Sequence, residues 1–177
     1  MVVVLLAGAQ DARAEVALAG DVDIGIPVAQ GPVRYLATGA GFDFRLGYRF
    51  RVPYQHITVV PEVVAGFTDL SAHLVRIRPG LRVGIGRLLI PYSYAHIGWA
   101  YASFDPLGAE DTHVTTLQVS AQGLSVDFGG GLDVTILRRL TVGAHLGYNV
   151  LLVGQTDHSP SYGAKWMSLG LNATFYL

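Results

Sequence analysis

The sequence AGFDFRLGYRFRV, residues 40–52, alternates two kinds of side chain. One parity is aromatic or aliphatic, and the other holds glycine, aspartate and arginine. A period of two is that of a β-strand whose two faces meet different surroundings, and it excludes an amphipathic helix, whose period is about 3.6. The stretch therefore predicts a strand, and the rest of the chain has to decide which of its faces lies outside.

The same alternation recurs along the chain and predicts about eight strands. An even number of such strands closes an up-and-down antiparallel barrel. The predicted strands cover residues 15–26, 36–52, 57–68, 75–85, 91–101, 125–136, 141–150 and 167–177.

The connections between these strands alternate in length. Three are tight, and three are long and polar, while the connection 69–72 is a short one within the long series. The tight connections are 53–56, 87–88 and 137–140, and the long ones are 27–35, 102–123 and 154–165. Short turns at one rim and long loops at the other are typical of an outer-membrane barrel with both termini on the periplasmic side.

The composition is that of a chain with little surface exposed to water. Charged residues make up 14%, hydrophobic residues make up 51%, and the mean hydropathy is +0.40, whereas a typical soluble domain has roughly 25% charged residues. The net charge is −1 without a basic run, so no nucleic-acid partner is expected. Cysteine is absent, which excludes disulfides and thiolate chemistry.

The first residues resemble a leader. Residues 2–9 are apolar, and the small residues around Ala14 resemble a signal-peptide cleavage site, although a basic start is missing. We expect residues 1–14 to be a truncated signal peptide and residues 15–177 to form one barrel domain. No other stretch has the ~20 apolar residues of a membrane helix.

Glycine and charge placement decide which face lies outside. The polar parity holds a glycine at nearly every second or third position, which suits a narrow tube filled with bulky groups better than an exposed strand. The apolar parity is almost free of charge, as a lipid-facing wall requires, because an arginine or lysine there costs about 2–4 kcal/mol at the bilayer midplane. The sequence therefore predicts a transmembrane barrel. The alternative is a soluble, lipocalin-like binding barrel with the two faces reversed.

Three stretches carry a resemblance to a known family. GFDFRLGYRFRV (41–52), VDFGGGLDVTILRRLTVGAHLGYN (126–149) and SLGLNATFYL (168–177) resemble the small bacterial outer-membrane barrels of the OmpA and OmpX type. The resemblance implies an outer-membrane location, a lipid environment, and external loops that bind extracellular partners. It also implies that the last strand is read by the barrel-assembly machinery through Leu169, Leu171, Ala173 and Phe175, with Leu177 where the family usually has phenylalanine.

The inward parity carries a nearly balanced set of charges. Because eight strands enclose just enough room for their own side chains, we expect these charges to form an internal network that plugs the lumen. The alternative is a narrow channel for ions or small solutes. The candidate network is Asp21, Asp23, Asp43, Arg45, Arg49, Arg51, Glu62, Arg76, Arg78, Arg82, Asp127 and Asp133, with Glu15 beside it.

The histidines do not predict a metal site or an enzyme. His96 and His145 point inward on strands separated by another strand, too far apart to share a metal without further ligands. Lipid A deacylases, which are barrels of similar size, carry a His-x-Ser pair, but Gly98 stands at the serine position after His96. His158 lies in a loop without an orienting acid. We expect no catalytic residue, no metal and no cofactor.

Overall fold

The protein is an eight-stranded closed antiparallel β-barrel in a computed structural model that describes residues 14–29, 38–52, 56–70, 72–104, 119–153 and 163–177. The strands are β1 (Ala14–Ala29), β2 (Gly39–Val52), β3 (Ile57–Asp69), β4 (Ala72–Ile85), β5 (Leu89–Phe104), β6 (Val119–Leu137), β7 (Leu140–Val153) and β8 (Gly163–Tyr176). No helix in these ranges could span a membrane.

Each strand pairs with the next one in sequence, and β8 pairs with β1 to close the sheet. In this closing ladder Leu18 lies opposite Phe175 and Ile24 lies opposite Leu169. Closure leaves no row of unpaired N–H and C=O groups, which a hydrocarbon environment could not satisfy. The predicted fold class, an all-β up-and-down barrel of eight strands, is confirmed.

The apolar parity faces outward on the strands, and the polar parity faces inward. Leu171 is 69% exposed and Val22 is 62% exposed, whereas Asp127 is 5% exposed and Arg78 only 1%. Aromatic side chains such as Trp99 and Phe175 also lie on the outer face. This arrangement contradicts the lipocalin-like alternative, which needs the apolar parity inside.

The strands are longer than a membrane requires. A tilted transmembrane strand needs about 9–11 residues, whereas β5 has 16 residues and β6 has 19. Their ladder continues to the pair Phe104 and Val119. Since this end of the barrel carries the long connections, the excess length extends the wall towards the long-loop rim.

Two of the predicted long connections were therefore too long, and the third was shifted. The β5–β6 connection covers residues 105–118 instead of 102–123, and the β7–β8 connection covers 154–162 instead of 154–165. The β1–β2 connection keeps its length but covers 30–38 instead of 27–35. Small and polar residues such as Ser120 and Gln122 hide the alternation in this region. Pairing with the neighbouring strand keeps them in the sheet all the same, because the partner satisfies their backbone groups.

Two prolines interrupt the ladders without breaking the barrel. Pro61 and Pro79 both face outward, and neither can donate an N–H to a neighbouring strand. The β2–β3 register has no pair between Gly47 and Phe50, opposite Pro61. The β4–β5 register likewise skips Pro79, between Ile77 and Gly80. Each proline therefore removes pairing on one side of its own strand only.

Candidate functional site in the barrel interior

The predicted charges gather in the middle of the lumen. Asp43 is partly buried, and Arg51 is exposed because it lies one residue from the end of β2, close to the short-turn rim. The buried members of the predicted set are Asp21, Asp23, Arg45, Arg49, Glu62, Arg76, Arg78, Arg82, Asp127 and Asp133.

Glu62 of β3 is the centre of one cluster. Its carboxylate oxygens lie 3.7 Å from Nη1 of Arg45 and 3.5 Å from Nη2 of Arg82, which come from β2 and β4. Nε2 of His96, from β5, lies 3.1 Å away. Two guanidinium groups and one imidazole from three strands therefore surround one buried carboxylate.

Asp43 and Asp127 form a second cluster through Arg78. Nη2 of Arg78 lies 2.8 Å from Asp43, and its Nη1 lies 2.7 Å from Asp127. Arg76 adds a longer contact of 3.5 Å to Asp43 and donates hydrogen bonds to Thr68 (2.7 Å) and Asn149 (2.9 Å). The cluster thus connects β2, β4 and β6 across the lumen.

His96 joins the two clusters. Its Nδ1 lies 2.9 Å from Oδ2 of Asp127, and its Nε2 lies 3.1 Å from Oε1 of Glu62. A ring with a carboxylate at each nitrogen is arranged as an imidazolium that donates both N–H groups. The sequence analysis left His96 outside the network. Its inward parity is visible in the sequence, but its two partners are set by a register that the sequence does not specify.

Three further pairs complete the ionic contacts of the interior. Arg45 lies side-on to Asp21, with Nε and Nη2 each 2.7 Å from a carboxylate oxygen. Arg82 lies 3.5 Å from Asp133. Towards the short-turn rim Arg49 pairs with Glu15, and its guanidinium lies 3.2 Å from the ring centre of Tyr176.

Glycines of the inward parity make room for the large side chains of neighbouring strands. A Cβ atom on Gly80 would lie 2.7 Å from Cγ of His96, and one on Gly131 would lie 2.6 Å from the hydroxyl of Tyr92. A Cβ on Gly129 would lie 2.7 Å from the Tyr94 hydroxyl. Because such contacts are too short, the rings of His96, Tyr92 and Tyr94 fit in the lumen only where the facing wall residue is a glycine.

A second region of the interior, which we call the apolar layer, lies near the long-loop rim. Leu70, in the tight β3–β4 connection, is fully buried and folds inward against Gly25 and the ring of Trp166. The apolar layer consists of Leu70, Ala72, Leu74, Ala100, Ala102, Leu151, Ala164 and Trp166. The lumen residues predicted from the sequence do not include this layer, because only the charged residues of the inward parity indicated a network.

The opposite end of the lumen has a smaller apolar cluster of Ala17, Val60 and Tyr176. Arg49, which pairs with Glu15, stacks on Tyr176 of this cluster. The ion pairs around Glu62 and Asp127 therefore lie between two apolar regions of the described interior.

One cavity of about 30 Å³ lies within the charged region. A space of this size holds about two water molecules. Oδ1 of Asp23 is buried beside it without a hydrogen-bond partner in the described structure. In the described ranges no three His, Cys, Asp or Glu side chains are grouped so that they could hold a metal ion. The cavity is lined by Asp21, Asp23, Asp43, Arg45, Val64, Tyr92, Tyr94, His96, Asp127, His145, Asn149 and Ser168.

The other residues weighed for chemistry have structural surroundings or lie outside the described ranges. His145 lines the cavity beside Tyr94, whose ring it meets edge-on at 6.2 Å. Gly98 approaches the backbone of Ile77 and Arg78 in β4. His158 lies outside the described residues. The absence of catalytic activity therefore stays a prediction.

Comparisons with known proteins agree with the fold. No family model and no curated sequence matches the chain. The N-terminal β-barrel domain of Pseudomonas aeruginosa OprF is 14% identical, with a TM-score of 0.56 over 93% of this chain and 100% of that one. Neisserial surface protein A is 12% identical, with a TM-score of 0.54 over 94% and 99%. Ail of Yersinia pestis is 13% identical, with a TM-score of 0.53 over 93% and 97%.

These identities are low enough that the likeness concerns the fold and not the activity. The chain has the fold of the small outer-membrane barrels, and the resemblance to the OmpA and OmpX type is confirmed at that level.

Proposed function

We propose that this chain is a bacterial outer-membrane protein with a sealed lumen. Its role is structural, and it interacts with partners through its long-loop end. The observation that carries the proposal is the filling of the interior at two levels. The apolar layer closes the long-loop end, and buried ion pairs fill the middle. The cavity of about 30 Å³ in the described interior has room for about two water molecules, which supports a filled lumen.

The distribution of the connections supports periplasmic termini. The connections of residues 53–56, 86–88 and 138–139 lie at the rim where β1 begins and β8 ends. In outer-membrane barrels the short turns are periplasmic and the long loops are extracellular. The connections 105–118 and 154–162, which lie outside the described residues, would then face the cell exterior and offer the surface for an extracellular partner.

The last strand supports recognition by the barrel-assembly machinery. Leu169 is 57% exposed, Leu171 69% and Phe175 43%, all on the outer face of β8. An apolar row that ends near an aromatic residue is the pattern that the family resemblance implies for assembly. Truncation after Ala173 should therefore reduce insertion into native membranes more than it reduces refolding in detergent.

The experiment that tests the sealed lumen is single-channel recording in a planar bilayer. The refolded wild type would be compared with Arg76→Ala and Glu62→Ala, and heat-shifted gel mobility would verify that each variant is a folded barrel. Silent bilayers for the folded wild type support a plug.

Steady openings of the wild type that change with these substitutions would overturn the proposal. The inward charges would then line a channel, and the second candidate function, ion or small-solute passage, would replace the first. The polar lining of the cavity is the observation that favours this candidate.

A further inference from the structure

The short-turn rim carries a group of exposed arginines. Arg51 lies near the end of β2, Arg87 lies between β4 and β5, and Arg138 and Arg139 lie between β6 and β7; all four are exposed. In the part of the chain that the structure describes, none of them forms an ion pair with a carboxylate, in contrast to the paired arginines of the lumen. Four exposed cations without a carboxylate partner at one rim are suited to bind an external anion.

Hydrogen bonds between the connections hold this rim together. The N–H of Gly86 donates to the carbonyl of His56 over 2.9 Å, and Nε of Arg87 donates to Nδ1 of His56 over 3.0 Å. Thr135 donates its N–H to the carbonyl of Leu88 (2.9 Å) and its hydroxyl to the carbonyl of Arg87 (2.8 Å). The β2–β3 and β4–β5 connections and the end of β6 therefore form one continuous surface.

The β6–β7 connection belongs to the same surface. The carbonyl of Arg139 accepts the N–H of Tyr176 over 2.8 Å, which fixes this connection against β8. The backbone that presents Arg87 and Arg139 is thus ordered before any ligand binds, and less conformational entropy is lost when one does.

Exposed leucines and isoleucines lie directly beside these arginines. Leu88 is 65% exposed and Leu89 55%, next to Arg87, while Ile136 is 57% exposed and Leu137 62%, next to Arg138. Apolar side chains on the outer wall meet acyl chains, and cations at the edge of that wall lie at the level of lipid headgroups.

We infer that the β4–β5 and β6–β7 connections form a binding site for an anionic phospholipid of the phosphatidylglycerol class. Guanidinium groups bind phosphate through paired N–H donors, and Arg87, Arg138 and Arg139 supply them. The leucines and isoleucines beside them contact the acyl chains of the same lipid. This site lies at the periplasmic leaflet in the orientation proposed above, on which that placement rests, whereas the lipid class rests on the arginines alone.

The test is a lipid titration of the full chain refolded in neutral detergent. Native mass spectrometry would count the phosphatidylglycerol molecules bound, against phosphatidylcholine with the same acyl chains. We expect phosphatidylglycerol to bind more tightly, and the preference to shrink at about 0.5 M salt, where screening acts within ~4 Å. Arg138→Gln should weaken its binding about fivefold, and the triple variant R87Q/R138Q/R139Q about a hundredfold.

The matched control is Lys165→Gln, which removes one exposed cation at the opposite rim. Its affinity should stay within twofold of the wild type. Equal loss in Lys165→Gln and Arg138→Gln would mean a general charge effect and would overturn the site, as would unchanged affinity in a triple variant with normal heat-shifted mobility. Neither result depends on whether the barrel conducts ions, so failure here is distinct from failure of the sealed-lumen proposal.

Discussion

The apolar layer and the ion pairs around Glu62 and Asp127 occupy the same lumen but are stabilised by different interactions. Near the long-loop rim, Leu70, Leu151 and Trp166 pack as in the core of a soluble protein, and the stabilisation there depends on shape and volume. In the middle, Glu62 and Asp127 hold arginines and His96 at ion-pair distances, and the stabilisation there depends on every charge having its partner.

The difference implies that substitutions lower the stability of the two parts of the interior for different reasons. A loss of volume should matter most in the apolar layer, since neighbouring side chains relax only partly into a void. A loss of charge should matter most around Glu62, since the remaining cations cannot reach bulk water.

Glu62→Ala should have the largest effect. It leaves Arg45, Arg82 and His96 without the carboxylate that all three share, and a buried pair broken in this way costs about 3–5 kcal/mol. Reversible urea unfolding of the refolded barrel in detergent measures this loss. Asp69→Ala, on the same strand but about half exposed, should change the free energy of unfolding by less than about 1 kcal/mol. A loss of less than about 1 kcal/mol in Glu62→Ala would show that the ion pairs contribute little.

Leu151→Ala tests the apolar layer without touching a charge. Leu151 is 2% exposed in this layer, and its truncation should lower the free energy of unfolding by about 3 kcal/mol through lost transfer energy and an added cavity. Leu146, on the outer face of the same strand, is the control: lipid or detergent fills the space that its truncation leaves. If Leu146→Ala costs as much as Leu151→Ala, the layer is not tightly packed.

The sequence predicts the barrel and its inward charged residues, but not the contacts that these residues make. The strands, their number and the inward or outward direction of each side chain follow from the alternation in stretches such as residues 40–52. The contacts between inward side chains do not follow from the alternation. Which of the inward residues of β3 and β6 meets His96 depends on register and shear, that is, on the offsets between successive strands, and the alternation of side chains does not specify these offsets.

The apolar layer escapes sequence analysis for a different reason. Leu74 and Trp166 occupy the inward parity near strand ends, where an apolar residue is just as compatible with a lipid-facing or irregular segment. Leu70 is even harder to identify, since it lies in the connection between β3 and β4 and reaches Gly25 only once the barrel has closed.

A double substitution separates the charge of a pair from its volume. Asp21 pairs with Arg45 through two contacts of 2.7 Å. Asp21→Leu alone should cost about 2 kcal/mol or more because Arg45 loses this partner. Adding Arg45→Met should restore at least half of that loss, since replacing a buried pair with apolar groups is often neutral. A double-mutant cycle of unfolding free energies measures the coupling. Strictly additive losses would mean that the two side chains do not stabilise each other.

Asp23→Asn should have the smallest effect and a sign opposite to that of Glu62→Gln. Both substitutions exchange a buried carboxylate for an amide of the same shape. Glu62 has two arginines and His96 as neighbours, whereas Oδ1 of Asp23 is buried without a hydrogen-bond partner in the described structure. Removing the charge of Asp23 should therefore leave the free energy of unfolding unchanged or raise it by up to about 1 kcal/mol. Urea unfolding of the two variants side by side measures the contrast. If Asp23→Asn destabilises the barrel as much as Glu62→Gln, the stability of this lumen depends on its total negative charge, and the pairing of individual residues does not decide it.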